Sequence, residues 1–130
     1  MALLRIDAHG PEPHAACGAP FANALLDHLA PVPHGATIVI FTHGMRHNPF
    51  DADRSPHDGL LAARANPARH WKARSLVRGM HMGTGQRLDG QGIAFGWQAT
   101  GSVWAALRTA RVAGRALRRV AMAIRRDRPD

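Results

Sequence analysis

The chain has 130 residues, enough for one domain with a modest core. Its formal net charge is +8, and 16 of its 17 Lys and Arg residues are Arg, set against nine acids. Cys17 is alone, which excludes a disulfide framework. No stretch reaches the ~18–20 apolar residues of a membrane span, and no basic region with a long apolar run marks a secretory signal, so the expected location is cytoplasmic.

The first element is a short strand over Ala2–Ile6. Gly10 to Pro20, with its prolines, glycines and histidines, reads as loop. Apolar residues at Phe21, Leu25, Leu26 and Leu29 form one helical face, ended by Pro31. Thr37–Thr42 is β-branched or aromatic at every position and carries no charge. Such unbroken apolar character suits a central parallel strand covered on both faces. Gly44 breaks it. Asn48-Pro49 and Ser55-Pro56 then mark a long polar turn region, and Asp58–Ala65 reads as a short helix. Over residues 66–91 the apolar residues are scattered and no element is legible.

Gly92–Trp97 reads as a second short apolar strand. Thr100 or Ser102 can cap the long helix that follows. Val103, Leu107, Ala110, Gly114, Leu117, Ala121 and Ile124 fall on alternating four- and three-residue spacings, and Ala106, Ala113 and Val120 widen the stripe. Arginines fill the rest, with no aromatic residue expected on the polar face. Asp127–Asp130 closes the helix with Pro129. Three regions result: a strand and helix over 1–35, the main α/β unit over 36–126, and a polar tail over 127–130. A crossover helix returns the chain to the sheet, so the long helix is expected to hand the chain to a further parallel strand; the two readings are a terminal helix or the first half of a larger domain.

The charge excess is local. Residues 1–101 carry nine basic and seven acidic groups, while residues 102–130 carry eight Arg against Asp127 and Asp130. An arginine-rich helix face can bind phosphates or be a solvated face. With no aromatic platform and no recognition module, specific nucleic-acid readout is not indicated. A basic domain docking on nucleic acid or an acidic partner is an alternative reading.

Chemistry concentrates at His43-Gly44-Met45-Arg46, where the strand meets a polar turn. Gly44 allows a sharp turn and the approach of a ligand. The N–H groups of Met45 and Arg46 are placed to face a developing oxyanion. The plainer reading is a turn with a histidine packed at a strand end. His43, His47, Asp51, Asp53 and His57 could together hold a metal in a folded loop, the basis of a second alternative, a metal-dependent hydrolase. His-Glu-x-x-His does not apply, because the segment is not helical and no Glu lies between His43 and His47. His9, His14, His28 and His34 are expected to be exposed. The glycines near Gly83-Thr84-Gly85 lack a Lys-Ser/Thr tail and read as turns, so no cofactor is implied.

Thr37 to Phe50 with its His43-Gly44, then Asp53-Arg54-Ser55-Pro56-His57, then Gly92–Trp97, together resemble the N-terminal half of an α/β-hydrolase of the serine esterase or lipase type. The likeness covers residues 36–126. It implies a partial three-layer α/β sandwich with a mostly parallel sheet, and an oxyanion loop after His-Gly in which Met45 donates its amide and His43 positions the loop. The family's Gly-x-Ser-x-Gly elbow is absent, and the triad acid and histidine would follow it in chain order. Ser102 reads as a helix cap, and Ser55 and Ser75 lie in polar loops. The resemblance therefore implies an ester-type hydrolase in complete form and no turnover by these 130 residues. A small ester-like substrate would belong to the completed site, and the exposed sheet edge invites self-association.

Overall fold

The computed structural model of the chain describes residues 3–64, 75–81 and 90–129. The first two strands, β1 (Leu4–His9) and β2 (Glu12–Ala15), form an antiparallel hairpin closed by Gly10 and Pro11. Gly10 takes a φ of +61°, as the first central position of a tight hairpin turn demands. Alternation puts Ile6, Ala8, Pro13 and Ala15 inward. The expected loop over Gly10–Pro20 is thus corrected in part. Its prolines suggest irregular chain, but Pro13 sits on an edge strand, where a missing donor is tolerated.

Pro20 precedes helix α1 (Phe21–Leu29), which buries Ala24, Leu25 and Leu29. After β3 (Thr37–Phe41), a single 3-10 turn at Pro56–Asp58 and the short helix α2 (Leu76–Gly79) lead to β4 (Gly90–Gly96) and the 25-residue helix α3 (Val103–Asp127). Of the helix expected over Asp58–Ala65, the described part, 58–64, instead holds the end of this 3-10 turn and the turns and bends after it. Residues 65–74 and 82–89 lie outside the described residues.

The sheet order is β2-β1-β4-β3, with β1, β4 and β3 parallel. This is a mixed α/β fold with a mostly parallel four-stranded sheet and three α-helices among the described residues. β3 is expected at the centre, yet it pairs only with β4 among the described residues, and Ile38, Val39 and Ile40 are half-buried. The central position goes to β4, whose side chains differ by face. Ile93 and Phe95 point into the larger core, with Ile6, Leu25, Leu29 and Val120 from β1, α1 and α3. Ala94 faces the smaller core, with Phe41, Leu61 and Val77. One face is therefore covered by two helices, the other by the Leu60–Leu61 loop and α2.

α3 is rotated from its expected face. Ala106, Ala113, Ala116 and Val120 are buried, whereas Val103 and Leu107 are exposed. Two apolar stripes compete on this helix, and the smaller residues allow it to lie close on β1 and β2. Ser102 caps it, its hydroxyl accepting from the Ala105 amide at 3.2 Å. No helix among the described residues is long and apolar enough to cross a membrane.

β1 and β2, from the first expected region, share one sheet with β3 and β4, and two polar clasps secure that region. His28, expected to be exposed, is partly buried; its Nε2 donates to the Gly92 carbonyl at 3.0 Å, while Gln91 Nε2 donates to the His28 carbonyl at 3.0 Å. Arg128, in the expected polar tail, donates to the carbonyls of Leu29 and Val32 at 2.6 and 2.8 Å. Its Nε meets Asp127 at 3.0 Å. The guanidinium thereby adds a second donor to the Leu29 carbonyl, which already accepts from the Val32 amide, and binds the Val32 carbonyl in the turn after α1. Arg128→Ala is expected to cost about 2 kcal/mol, measurable as a lower urea midpoint with an unchanged slope.

Candidate functional site

The three parallel strands end at one edge of the sheet, the position at which α/β sheets build sites. Asp7 of β1 stands opposite Gly96 of β4 in the register. His43 follows β3 by two residues, and Trp97 follows β4 directly.

His43 is buried and held on all sides. Its ring stacks on Trp97 with centroids 5.5 Å apart, and His47 packs edge-on at 5.3 Å. Its Nε2 accepts from the Trp97 amide at 3.0 Å, and its Nδ1 donates to the Gly44 carbonyl at 2.9 Å. Trp97 Nε1 donates in return to the His43 carbonyl at 3.0 Å. This network assigns a neutral imidazole with its proton on Nδ1. Burial is the largest influence on His43 and lowers its pKa; the Gly44 carbonyl opposes that shift. Both ring nitrogens are engaged by backbone, so the ring holds the loop in place.

The loop beyond it turns at Arg46, which takes the left-handed φ of 75°, while Gly44 does not adopt that region. Such a conformation in a residue with a side chain costs on the order of 1 kcal/mol. The Arg46 amide, one of the two expected oxyanion donors, instead donates to the Ala99 carbonyl at 2.8 Å, and the Ala99 amide donates to the His47 carbonyl at 2.8 Å. These two bonds tie the loop after β3 to the segment after β4. The Met45 amide makes no hydrogen bond among the described residues, and its side chain is exposed. Arg46, Arg54, Thr100 and Gly101 line a cleft of about 360 Å³ beside this loop and the start of α3.

A second pair is not legible from spacing. His57 Nε2 and Asp7 Oδ1 lie 2.6 Å apart, both largely buried, and His57 Nδ1 has no partner among the described residues. They meet over Gly96. A Cβ at that position would collide with Asp7 Oδ1 and stand 2.9 Å from His57 Nε2 and 3.1 Å from Pro49 Cβ. The one signal in the sequence is an acidic residue on an apolar strand, but the expected strand ends before Asp7.

The proposed metal ligands do not converge. Among the described residues no group of three or more His, Cys, Asp or Glu is placed to hold a metal ion. His43 is bonded to backbone, His57 to Asp7, and Asp51 accepts from the Asp53 amide at 2.9 Å. Two of the three serines have structural partners: Ser75 donates to the Ala62 carbonyl at 2.6 Å and caps α2, and Ser102 caps α3, while Ser55 is buried before the 3-10 turn without capping it. His70 and the Gly83–Gly85 segment lie outside the described residues. Neither protein-family models, nor curated proteins, nor solved structures yield a match to this chain.

Gly96→Ala is expected to cost about 2 kcal/mol or more, because the added methyl must part Asp7 from His57; urea denaturation checks it. Acid should also destabilise the fold. Burial lowers the pKa of both His28 and His43, so near their ordinary 6.5 the unfolded chain binds protons that the native chain refuses. This part of the stability is fully present above about pH 6.5 and falls as the pH drops from there toward the folded values. Urea midpoints across that range should decline, and His28→Gln should flatten the decline.

Proposed function

We propose that this chain forms the oxyanion-binding side of an α/β-hydrolase-like domain that cleaves ester-type bonds. The observation that carries this reading is the Met45 amide, which makes no hydrogen bond among the described residues. It is held at the carboxyl edge of a parallel sheet by His43, whose ring nitrogens and carbonyl are all engaged. In ester hydrolysis of this class a serine attacks the carbonyl, and a histidine takes its proton and returns it to the leaving alcohol. Backbone amides stabilise the tetrahedral oxyanion. One such donor is worth about 3 kcal/mol in the transition state. Here Met45 has the donor role and His43 the positioning role. Gly44 leaves open space beside the amide, since a Cβ placed on it would meet nothing within 4 Å. Arg46 and Arg54 add positive potential from the neighbouring cleft.

The nucleophile is not among these groups. Among the described residues none of Ser55, Ser75 and Ser102 hydrogen-bonds a histidine: His57 Nε2 is taken by Asp7 and its Nδ1 has no partner. The isolated 130-residue chain is therefore expected to recognise developing negative charge without turning over an ester. Amide NMR during titration with methylphosphonate tests the first half: the Met45 and Gly44 resonances should move, while Arg46, bonded to Ala99, should move least. A silent Met45 would refute the oxyanion assignment. Purified chain should also leave p-nitrophenyl acetate at its background rate of hydrolysis. Turnover that follows the protein through successive columns would contradict the second half.

A further inference from the structure

α3 carries on its solvent side a surface that the sheet does not use. Arg108, Arg111, Arg115, Arg118, Arg125 and Arg126 are outside the core, and none is ion-paired among the described residues. Arg119 is different, being paired with Glu12 of β2. No acid occurs between Val103 and Arg126. The arginines therefore form an uninterrupted cationic row along a helix about 36 Å long.

The same side is also apolar in places. Trp104 is 72% exposed, Val103 61%, Met122 52% and Leu107 46%. This corrects the expected absence of an aromatic residue from the polar face. Trp104, Arg111, Arg115, Arg118 and Met122 follow spacings of seven, four, three and four, so they share one stripe opposite the buried Ala113, Ala116 and Val120. Phe50, itself half exposed, shares a groove of about 310 Å³ with Arg108 and Val112 and extends the apolar rim beyond the helix.

We propose that this face of α3 docks on an anionic phospholipid surface. Charge complementarity supplies attraction, because a row of arginines without ion-pair partners among the described residues meets a layer of phosphate headgroups. The exposed tryptophan, valine, leucine and methionine supply the second term, since apolar side chains gain from the boundary between headgroups and acyl chains. Trp104 suits that depth, and the arginine stems can lie along it with their guanidinium groups in the headgroup layer. Nucleic acid is the competing polyanion. It would use the arginines, but it offers no apolar layer for Val103, Leu107 and Met122. α3 also packs on β1, β2 and α1, so among the described residues only its outer side is free. That geometry favours a flat surface over a groove that must admit the helix. This inference does not depend on the hydrolase reading.

Co-sedimentation of the full chain with vesicles tests it. Binding should be strong to phosphatidylcholine vesicles containing phosphatidylglycerol, weak to phosphatidylcholine alone, and reduced by salt. The double variant Arg111→Glu, Arg115→Glu should lower partition by at least about tenfold. Trp104→Ala should lower it several-fold at unchanged charge, with an unaltered far-UV spectrum showing that the fold persists. Failure to bind phosphatidylglycerol vesicles would overturn the proposal. So would vesicle binding indifferent to Trp104→Ala, or tighter binding to duplex DNA or RNA than to vesicles.

Discussion

The absence of a side chain at Gly96 governs the carboxyl edge of this sheet. Asp7 and His57 meet at 2.6 Å across the space that a Cβ would fill, and Pro49 closes the third side. A buried carboxylate is tolerable only when it is paired or hydrogen-bonded, so this close approach makes Asp7 compatible with the interior. It also fixes the long segment between β3 and β4 at two distant points, Pro49 and His57. The next residue after Gly96 is Trp97, which receives His43. One small residue and one large one, adjacent in sequence, thus anchor the loop that follows β3.

The division of labour between the two histidines follows from their partners. His43 has both ring nitrogens bonded to main chain, so any proton uptake would break the bond from Trp97. His57 uses one nitrogen on Asp7 and leaves the other buried without a partner among the described residues. A buried unpaired nitrogen is a small energetic debit, on the order of 1 kcal/mol or more. It is tolerated here because the other side of the ring is well bonded and the 3-10 turn at Pro56–Asp58 packs against β4. The strained φ of Arg46 is offset in the same way, by the paired bonds between residues 46–47 and Ala99.

Elements with strong local chemistry are legible from the sequence. β3 announces itself through five consecutive β-branched or aromatic residues, and Ser102 through its place before an amphipathic run. Position within the sheet is less legible, because apolar character records burial without recording neighbours. β3 is rich in Ile and Val yet lies at an edge of the described sheet, whereas β4, poorer in such residues, lies at its centre. The face of α3 is ambiguous in sequence because two stripes satisfy the same period, and only the proximity of β1 and β2 chooses the alanine one. At the candidate site, the His43 loop is legible from its strand and glycine. The commitment of the Arg46 amide to Ala99 is not, since it depends on a contact between loops that the sequence separates widely.

The pairing of β1 with β4 has a consequence for how the chain reaches its native state. Leu4 finds Ile93, and Asp7 finds Gly96, so the central ladder closes only after most of the polypeptide is available. The β1–β2 hairpin and α1 can form from nearby residues, but their docking waits on that long closure. β3 is also complete well before β4 can cover its inner edge. During synthesis the uncharged run from Thr37 to Phe41 must therefore persist without its strand partner, as a hydrophobic segment of high β-propensity. The order of elements along the chain thus makes emergence from the ribosome, more than equilibrium stability, the interval in which this fold is most vulnerable to aggregation.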